Sequence, residues 1–428
     1  MNHETHERTR KKRQAGSLTV TGGLGRKTPV LQAARKAALL TNDYSARLTD
    51  IMEIPRARRR VLLTLLAFAM VLPLSRAANL EAGPKSMEGR FLYVATPGIR
   101  DYLEYGGHGV LVFDIDRGHR FVKRIASSGV DDQGKPLNVK GICASAATGR
   151  LYVSNIKSLV CLDLNTDKIL WERAYEGGCD RMSISPDGRV IYLPSFEKEH
   201  WHVINALDGS ILAKIVPNSG AHNTITGPDG REAYLAGLKS PLLTVADMKS
   251  QTAARTVGPF GNSIRPFTIN GRQTLVYVNV NELLGFEVGD LTTGKMLQRV
   301  TVAGFEKGPV KRHGCPSHGI ALTLDERELW LADAHNNRLH VFDLAGPVPR
   351  QIESIVVRDQ PGWITFGIDG QLVYPSTGEV IEARTRKVVA TLKDENGTDV
   401  QSEKLLEIDF QAGVPVRAGN QFAVGGVR

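Results

Sequence analysis

The 428-residue sequence predicts an all-β fold, a seven-bladed β-propeller of four-stranded antiparallel blades, preceded by a signal-peptide-like leader. Three observations predict it. A short apolar run, a Gly- or Asp-containing turn and a second apolar run carrying Tyr or Trp recur along the chain. The copies follow one another at a spacing of roughly 50 residues, the period of stacked repeat units. Helical periodicity is almost absent between them.

Six copies are clear: GICASAATGRLYVSN (141–155), RMSISPDGRVIYLPS (181–195), NTITGPDGREAYLAG (223–237), PFTINGRQTLVYVNV (266–280), GIALTLDERELWLAD (319–333) and ITFGIDGQLVYPS (364–376). Most continue into further runs such as SLVCLDLNTDKILWE, HVINALDGSILAKI and RLHVFDLAG, where D-x-x-T/D-G/K marks another tight turn. Each unit therefore reads as three or four antiparallel strands. MEGRFLYVATPG (87–98) with HGVLVFDIDRGHRFVKRI (108–125) supplies a seventh, less regular copy; without it the count would be six blades. A lone four-stranded sheet cannot bury both faces, so units of this size stack, and radial stacking yields a propeller. KLLEIDF (404–410) reads as one more strand after the last copy; it is expected to pair beside the N-terminal copy and latch the ring.

The turn-and-strand signature in SPDGRVIYLPS and GRLYVSN resembles the YVTN-type seven-bladed propeller repeats of secreted bacterial proteins, a group that includes lactonase-like and streptogramin-lyase-like propellers. The resemblance covers roughly residues 87–395. It implies the fold; that repeat occurs on enzymes, electron-transfer subunits and surface proteins without known activity, so the fold alone does not give an activity.

The leader precedes this body. Arg56, Arg58, Arg59 and Arg60 are followed by VLLTLLAFAMVLPL (61–74) and SRAA, the order of a positive region, an apolar region and a small-residue end found in secretory signal peptides. Cleavage after Ala77 or Ala78 is expected, with a secreted or periplasmic product and no stable membrane span once the leader is gone, because fourteen residues are short for hydrocarbon. Met52 stands where such a peptide begins. Residues 1–51 then form a disordered or over-extended N-terminal extension, 52–78 the signal peptide and 79–428 a single propeller domain.

The formal charge of +9 belongs to that leader. Residues 1–78 hold 15 of the 54 basic and 5 of the 45 acidic residues, leaving 39 and 40 from Asn79 onward. A balanced body argues against a nucleic-acid partner. Four cysteines, Cys143, Cys161, Cys179 and Cys315, are too few for a disulfide scaffold. YGGHG and VTGGLG lack the strand-to-helix transition of a nucleotide site.

Register turns the repeat into a site prediction. Aligned on the Tyr or Trp of the second strand, the starting positions of six successive innermost strands are Lys140, Asp180, His222, Arg265, His318 and, with one deletion, Trp363; counting alone puts Glu81 at the first blade. Cations, a carboxylate and two histidines around one axis suit a polar pocket better than a packed core. His222 and His318 are the expected catalytic pair. Lys140, Arg265, Tyr105, His108, His335 and Trp363 are the expected substrate-binding residues, the cations for a carboxylate or phosphate and Trp363 as a stacking platform or a channel plug. Asp180, His222 and His318 form a two-His, one-carboxylate set able to hold a divalent cation, the one cofactor the sequence leaves open. Loops after the second strands, DYLEYGGH (101–108), FEKEHWH (196–202) and AHNN (334–337), and EKGPVKRHGCPS (306–317) before the sixth blade, are expected to rim the same face. His202 and His340 fall within strands and read as packing or surface residues.

The expected activity is binding of, and action upon, a small polar or anionic molecule such as a sugar acid or lactone, by lyase or lactonase-like hydrolase chemistry. The alternative is a non-catalytic propeller that binds a carbohydrate or a partner protein.

Overall fold

A computed structural model describes residues 87–127 and 129–428. The expected extension, the expected signal peptide and Glu81 lie outside the described residues. Among the described residues no helix is long and apolar enough to cross a membrane.

Seven antiparallel sheets form the propeller, six of four strands and one of five. Blades two to seven each take four consecutive strands from one repeat, beginning with Val139–Ser145, Ser183–Ile184, Ala221–Thr226, Ile264–Ile269, Ser317–Leu322 and Ile364–Phe366. The starting strands of neighbouring blades touch one another, which places them innermost. Blade one is composite. Leu405–Gln411 from the C-terminus pairs antiparallel with Gly89–Thr96, from Gly89 opposite Phe410 to Val94 opposite Leu405, and Gly109–Asp114 and Arg120–Ile125 follow outward. The expected latch is thus the first blade's innermost strand, and Val414–Ala418 adds a fifth strand inside it.

Second and third strands are packed against neighbouring blades on both faces, so they read as continuous apolar runs rather than alternating ones. Ser158–Asp163 and Glu328–Asp333 are buried along nearly their whole length, whereas the outermost Ile169–Ala174 is mostly exposed. The recurrent aromatic of the second strand packs in the core at Tyr93, Tyr152, Tyr192, Tyr234, Tyr277, Trp330 and Tyr374. Tyr152 shows its role: its hydroxyl donates to the Ala206 carbonyl of the next blade at 2.9 Å, tying two blades together. The S-P-D-G-R turn is held by Ser185, whose Oγ accepts from Val190 N at 2.9 Å. Gly188 in that turn has φ +72°, and a Cβ there would meet the Ser145 hydroxyl at 2.1 Å, so the glycine is required twice over.

The tail beyond the last strand runs back through the channel. Phe422 is buried in a core cluster with Trp363, and the Gln421 side chain donates to the Met182 carbonyl at 3.0 Å. The C-terminal segment thereby acts twice, closing the ring laterally through Leu405–Gln411 and filling the axis through Gln421–Ala423.

One feature of the latch strand carries a pH dependence. Glu407 and Asp409 share a face, and Glu407 Oε1 and Asp409 Oδ1 are buried with no donor. Burial, with Asp409 adding to it, pushes the Glu407 carboxyl up to about 7. The folded chain then holds a proton between the ordinary glutamate range and pH 7 that the unfolded chain releases, so stability falls as pH rises through this window. Glu407→Gln should raise the melting temperature at pH 8, by the equivalent of at most about 3 kcal/mol, and should give no gain at pH 4. Melting curves of both proteins at the two pH values check this; equal gains at both would remove the carboxyl pair as the cause.

Candidate functional site at the axial mouth

The innermost strands begin around one mouth, where Lys140, His222, Arg265 and His318 line a cavity of about 380 Å³. Loops after the second strands contribute Ile99 and Arg100, Phe196 and Glu197, and Leu238, and the loop before blade six contributes Arg312 and His313. The remaining polar lining is Asn138, Arg181, Glu403 and Lys404.

Glu403 is the seventh starting position. His222 lies three residues before Ile225, the partner of Tyr234; Glu403 lies three residues before Leu406, the partner of Tyr93. Blade one takes its innermost strand from the C-terminus, so counting back from the N-terminal copy could not reach it. The signal was present in SEKLLEIDF, had that latch strand been given the register of the others.

Two charge clusters meet at the mouth. In the first, Asp180 Oδ2 accepts from His222 Nδ1 at 2.6 Å, and Asp180 Oδ1 lies 3.6 Å from Lys140 Nζ and accepts from Arg181 N at 3.0 Å. Burial alone would raise the Asp180 carboxyl, but His222 and Lys140 outweigh it and hold it below the usual carboxylate range. For His222 burial is the largest influence and lowers it below an ordinary imidazole, with Asp180 opposing. With Nδ1–H committed to Asp180, His222 keeps Nε2 as its free nitrogen, a tautomer suited to accepting a proton.

In the second cluster Glu403 is the hub. Its Oε2 accepts from Arg181 Nη2 and from Lys404 Nζ, each at 2.8 Å, and its Oε1 lies 2.8 Å from His313 Nδ1 and 4.0 Å from His318 Nδ1. Burial would raise this carboxyl as well; Lys404 and His313 outweigh it and hold it well below the usual range. Burial lowers Lys404 to about 7, against the pull of Glu403. His318 is driven well below an ordinary imidazole, chiefly by burial, and its Nδ1 donates to the Gly362 carbonyl at 2.8 Å.

His313, His318 and Glu403 each offer a ligand atom, all within 4.8 Å of one another, so this buried cluster is compatible with metal coordination. Of the expected set of Asp180, His222 and His318, the structure puts His318 in this cluster and pairs the other two with each other. A cation bound here would compete with Arg181 and Lys404 for the Glu403 carboxylate.

Trp363 does not line the cavity but lies behind Arg181, which does. It is buried, the Arg181 guanidinium lies over its ring at 3.5 Å, its Nε1 donates to the Gln421 carbonyl at 2.7 Å, and its ring centroid is 5.8 Å from that of Phe422. It plugs the channel together with the tail. Tyr105 acts one contact away, its hydroxyl accepting from Arg312 Nη2 at 2.7 Å under the guanidinium. His108 and His335 do not line the cavity: the His108 carbonyl accepts from Arg124 at 3.2 Å, and His335 is exposed. His200 and His202, spaced as H-x-H in EHWH, also stand apart from it, with their Nε2 atoms 3.1 Å from each other and from the Glu176 carbonyl. All four cysteines are buried and free. Burial pushes the Cys315 thiol up to about 12, and it donates to the Ser317 carbonyl, so it is a thiol rather than a nucleophile at neutral pH.

No protein-family profile matches the chain, and no curated protein matches it by sequence. Solved structures do match. Dihydro-heme d1 dehydrogenase NirN, solved in complex with DHE, is 16% identical with a TM-score of 0.54, over 78% of this chain and 73% of that one. The Cps50 (Swd1) β-propeller domain of Myceliophteria thermophila is 12% identical with a TM-score of 0.51, over 64% of this chain and 94% of that one. At such identities these likenesses are of fold, and they place the chain among the β-propellers.

Proposed function

We propose that this is an exported propeller of the YVTN-repeat type that binds a small carboxylate- or phosphate-bearing molecule at the axial mouth and removes a proton from it with His222. The observation that carries the reading is the lining of the 380 Å³ cavity, where Arg100, Lys140, Arg181, Arg265, Arg312 and Lys404 outnumber Glu197 and Glu403, with Asp180 buried behind Lys140 as the one further carboxylate described above. Low-dielectric walls strengthen each of those charges toward an anion. Arg265 and Lys140 anchor the acid group, and guanidinium forks suit its planar oxygens.

His222 Nε2 then takes the proton from the carbon beside the carboxylate. Asp180 holds the ring in the required tautomer, and the guanidinium charges stabilise the negative charge that develops on the carboxylate oxygens. Departure of a group from the neighbouring carbon completes a lyase reaction on a sugar acid. A divalent cation held by His313, His318 and Glu403 would supply further positive charge to the same oxygens; the arginines already in place make it dispensable for binding.

Calorimetric titration with galacturonate and with sulfate tests the reading. We expect saturable binding that weakens about tenfold or more in Arg265→Ala, corresponding to a loss of about 1.4 kcal/mol or more, and that survives chelator treatment. His222→Gln should keep the binding and lose incorporation of solvent deuterium at the carbon beside the carboxylate, by a factor of roughly 10²–10⁴. Because His222 sits below the ordinary imidazole range, the acid limb of exchange should lie below it too. Binding without exchange in the wild type would leave a non-catalytic carbohydrate- or protein-binding scaffold; absence of binding would end the anion reading.

A further inference from the structure

A second set of reactive groups stands outside the axial mouth, on blade six. His340, on the third strand Arg338–Asp343, is fully buried and spans two partners. Its Nε2 lies 3.0 Å from Asp333 Oδ2, at the end of the second strand, and its Nδ1 lies 2.8 Å from Ser354 Oγ, on the outermost strand Arg350–Val356. Asp333 is buried, and Ser354 is half-buried. The three therefore run from the interior to the surface in the order acid, imidazole, hydroxyl, which a nucleophilic serine requires: the acid shielded, the hydroxyl within reach of solvent.

Hydrogen-bond accounting selects one tautomer. Asp333 can only accept, so Nε2 of His340 carries the hydrogen and Nδ1 presents its lone pair to Ser354. Asp333 is held in turn by Asn336, whose backbone N and side-chain Nδ2 donate to its carboxylate at 3.0 and 2.7 Å. Gln351 Nε2 donates to Ser354 Oγ at 3.2 Å, which puts a side-chain amide beside the position where an oxyanion would form. Phe305 packs over the imidazole with ring centroids 4.8 Å apart and supplies an apolar wall.

The repeat does not impose this arrangement. The cross-strand pair equivalent to His340 and Ser354 is Val160 with Glu172 in blade two, His202 with Lys214 in blade three, Thr244 with Thr256 in blade four and Glu287 with Arg299 in blade five. A shared structural device would use similar residues at each turn of the ring.

We propose that Asp333, His340 and Ser354 form an acyl-transfer site on the outer strands of blade six, taking small, unhindered esters, with Ser354 as nucleophile, His340 as general base and Asp333 as a positioning residue. Ser354 Oγ bonds to the ester carbonyl carbon as its proton passes to His340 Nδ1. The carbonyl electron pair moves to oxygen beside Gln351 and returns as the alkoxide leaves with the proton from His340. Water, deprotonated by the same nitrogen, then releases the carboxylic acid and restores the hydroxyl. No further reactant is needed. The site is independent of the axial mouth.

The test treats the intact protein with an alkyl fluorophosphonate and with p-nitrophenyl acetate. We expect one phosphonyl group per chain, mapped to Ser354 by peptide mass spectrometry, and ester hydrolysis lost with it. Ser354→Ala should melt as the wild type does and take up no label. His340→Gln, its folding checked by melting, should slow labelling at least a hundredfold; rates equal to those of the wild type would mean that the imidazole does not activate Ser354. Asp333→Asn should reduce labelling and shift its pH profile, whereas a purely structural aspartate would lower the melting temperature alone. A wild type that takes no label, or label on a serine other than Ser354, overturns the proposal. Anion titration at the axial mouth is unaffected in every one of these outcomes, so the two sites fail separately.

Discussion

A chain ending at Lys404 is expected to show no cooperative melt and to elute from a sizing column as aggregate. Residues 405–428 supply the innermost strand of blade one, and without them Gly89–Thr96 exposes its unpaired edge along six residue positions. The same deletion takes Leu405, Leu406, Ile408, Phe410 and Phe422 out of buried clusters. At about 1.5–3 kcal/mol for each large apolar side chain, the loss is comparable to the roughly 5–15 kcal/mol by which a domain is stable. A milder truncation separates the lateral latch from the axial plug. A chain ending at Ala418 keeps Leu405–Gln411 and Val414–Ala418 but loses Gln421 and Phe422, leaving the Trp363 Nε1 hydrogen without its acceptor. It should fold, melt cooperatively at a lower temperature, and give brighter binding of an apolar dye at the opened channel. If the chain ending at Lys404 melts cooperatively as a monomer, ring closure by the C-terminal strand is not what holds the propeller together.

Glu403→Ala should be the most destabilising single substitution at the mouth, costing about 3–5 kcal/mol, the range for removing one partner of a buried ion pair. Arg181 and Lys404 both direct their charges at Glu403 Oε2, and both are buried, so the change leaves two cations without a counter-charge. Lys404 can relieve itself by releasing its proton, since burial already holds it near 7; Arg181 has no such route. The damage should therefore shrink when Arg181 is replaced as well. In a double-mutant cycle, Arg181→Met with Glu403→Ala should recover at least about 1 kcal/mol relative to the sum of the single changes. Denaturant melts of the four proteins measure it. Additive effects would mean that Glu403 acts through His313 or His318 rather than through Arg181.

The two substitutions also bear on how the site was legible. Lys140, His222, Arg265 and His318 could be placed on one cavity from sequence because each stands at the same offset from an aromatic that every repeat carries. Asp180 follows the same rule and sits beneath His222. Glu403 obeys it too, yet its aromatic, Tyr93, lies at the other end of the chain, and only strand pairing joins the two. Arg181 escaped for another reason. Its neighbour Asp180 takes the starting position, and nothing in RMSIS tells that the next side chain reaches both Trp363 and Glu403.

His340 marks the opposite limit. Its position inside a strand marks it as packing, and it does pack, against Phe305. Its chemistry comes from Asp333 and Ser354, whose side chains meet it across two strand pairings, Ser354 as its direct cross-strand partner.

By itself, then, the sequence determined the repeating unit, the number of blades, the latch strand and the residues that begin the inner strands. All of these are read from local period and offset, which a strand's two-residue repeat and a turn's residue preferences impose directly. Only the tertiary structure decided which of those residues share a charge network, that Glu403 completes the ring, that the tail plugs the channel and that an imidazole lies between an acid and a hydroxyl on blade six. Those relations depend on distances of a few ångströms between residues far apart in the chain, and such distances exist only once the ring has closed.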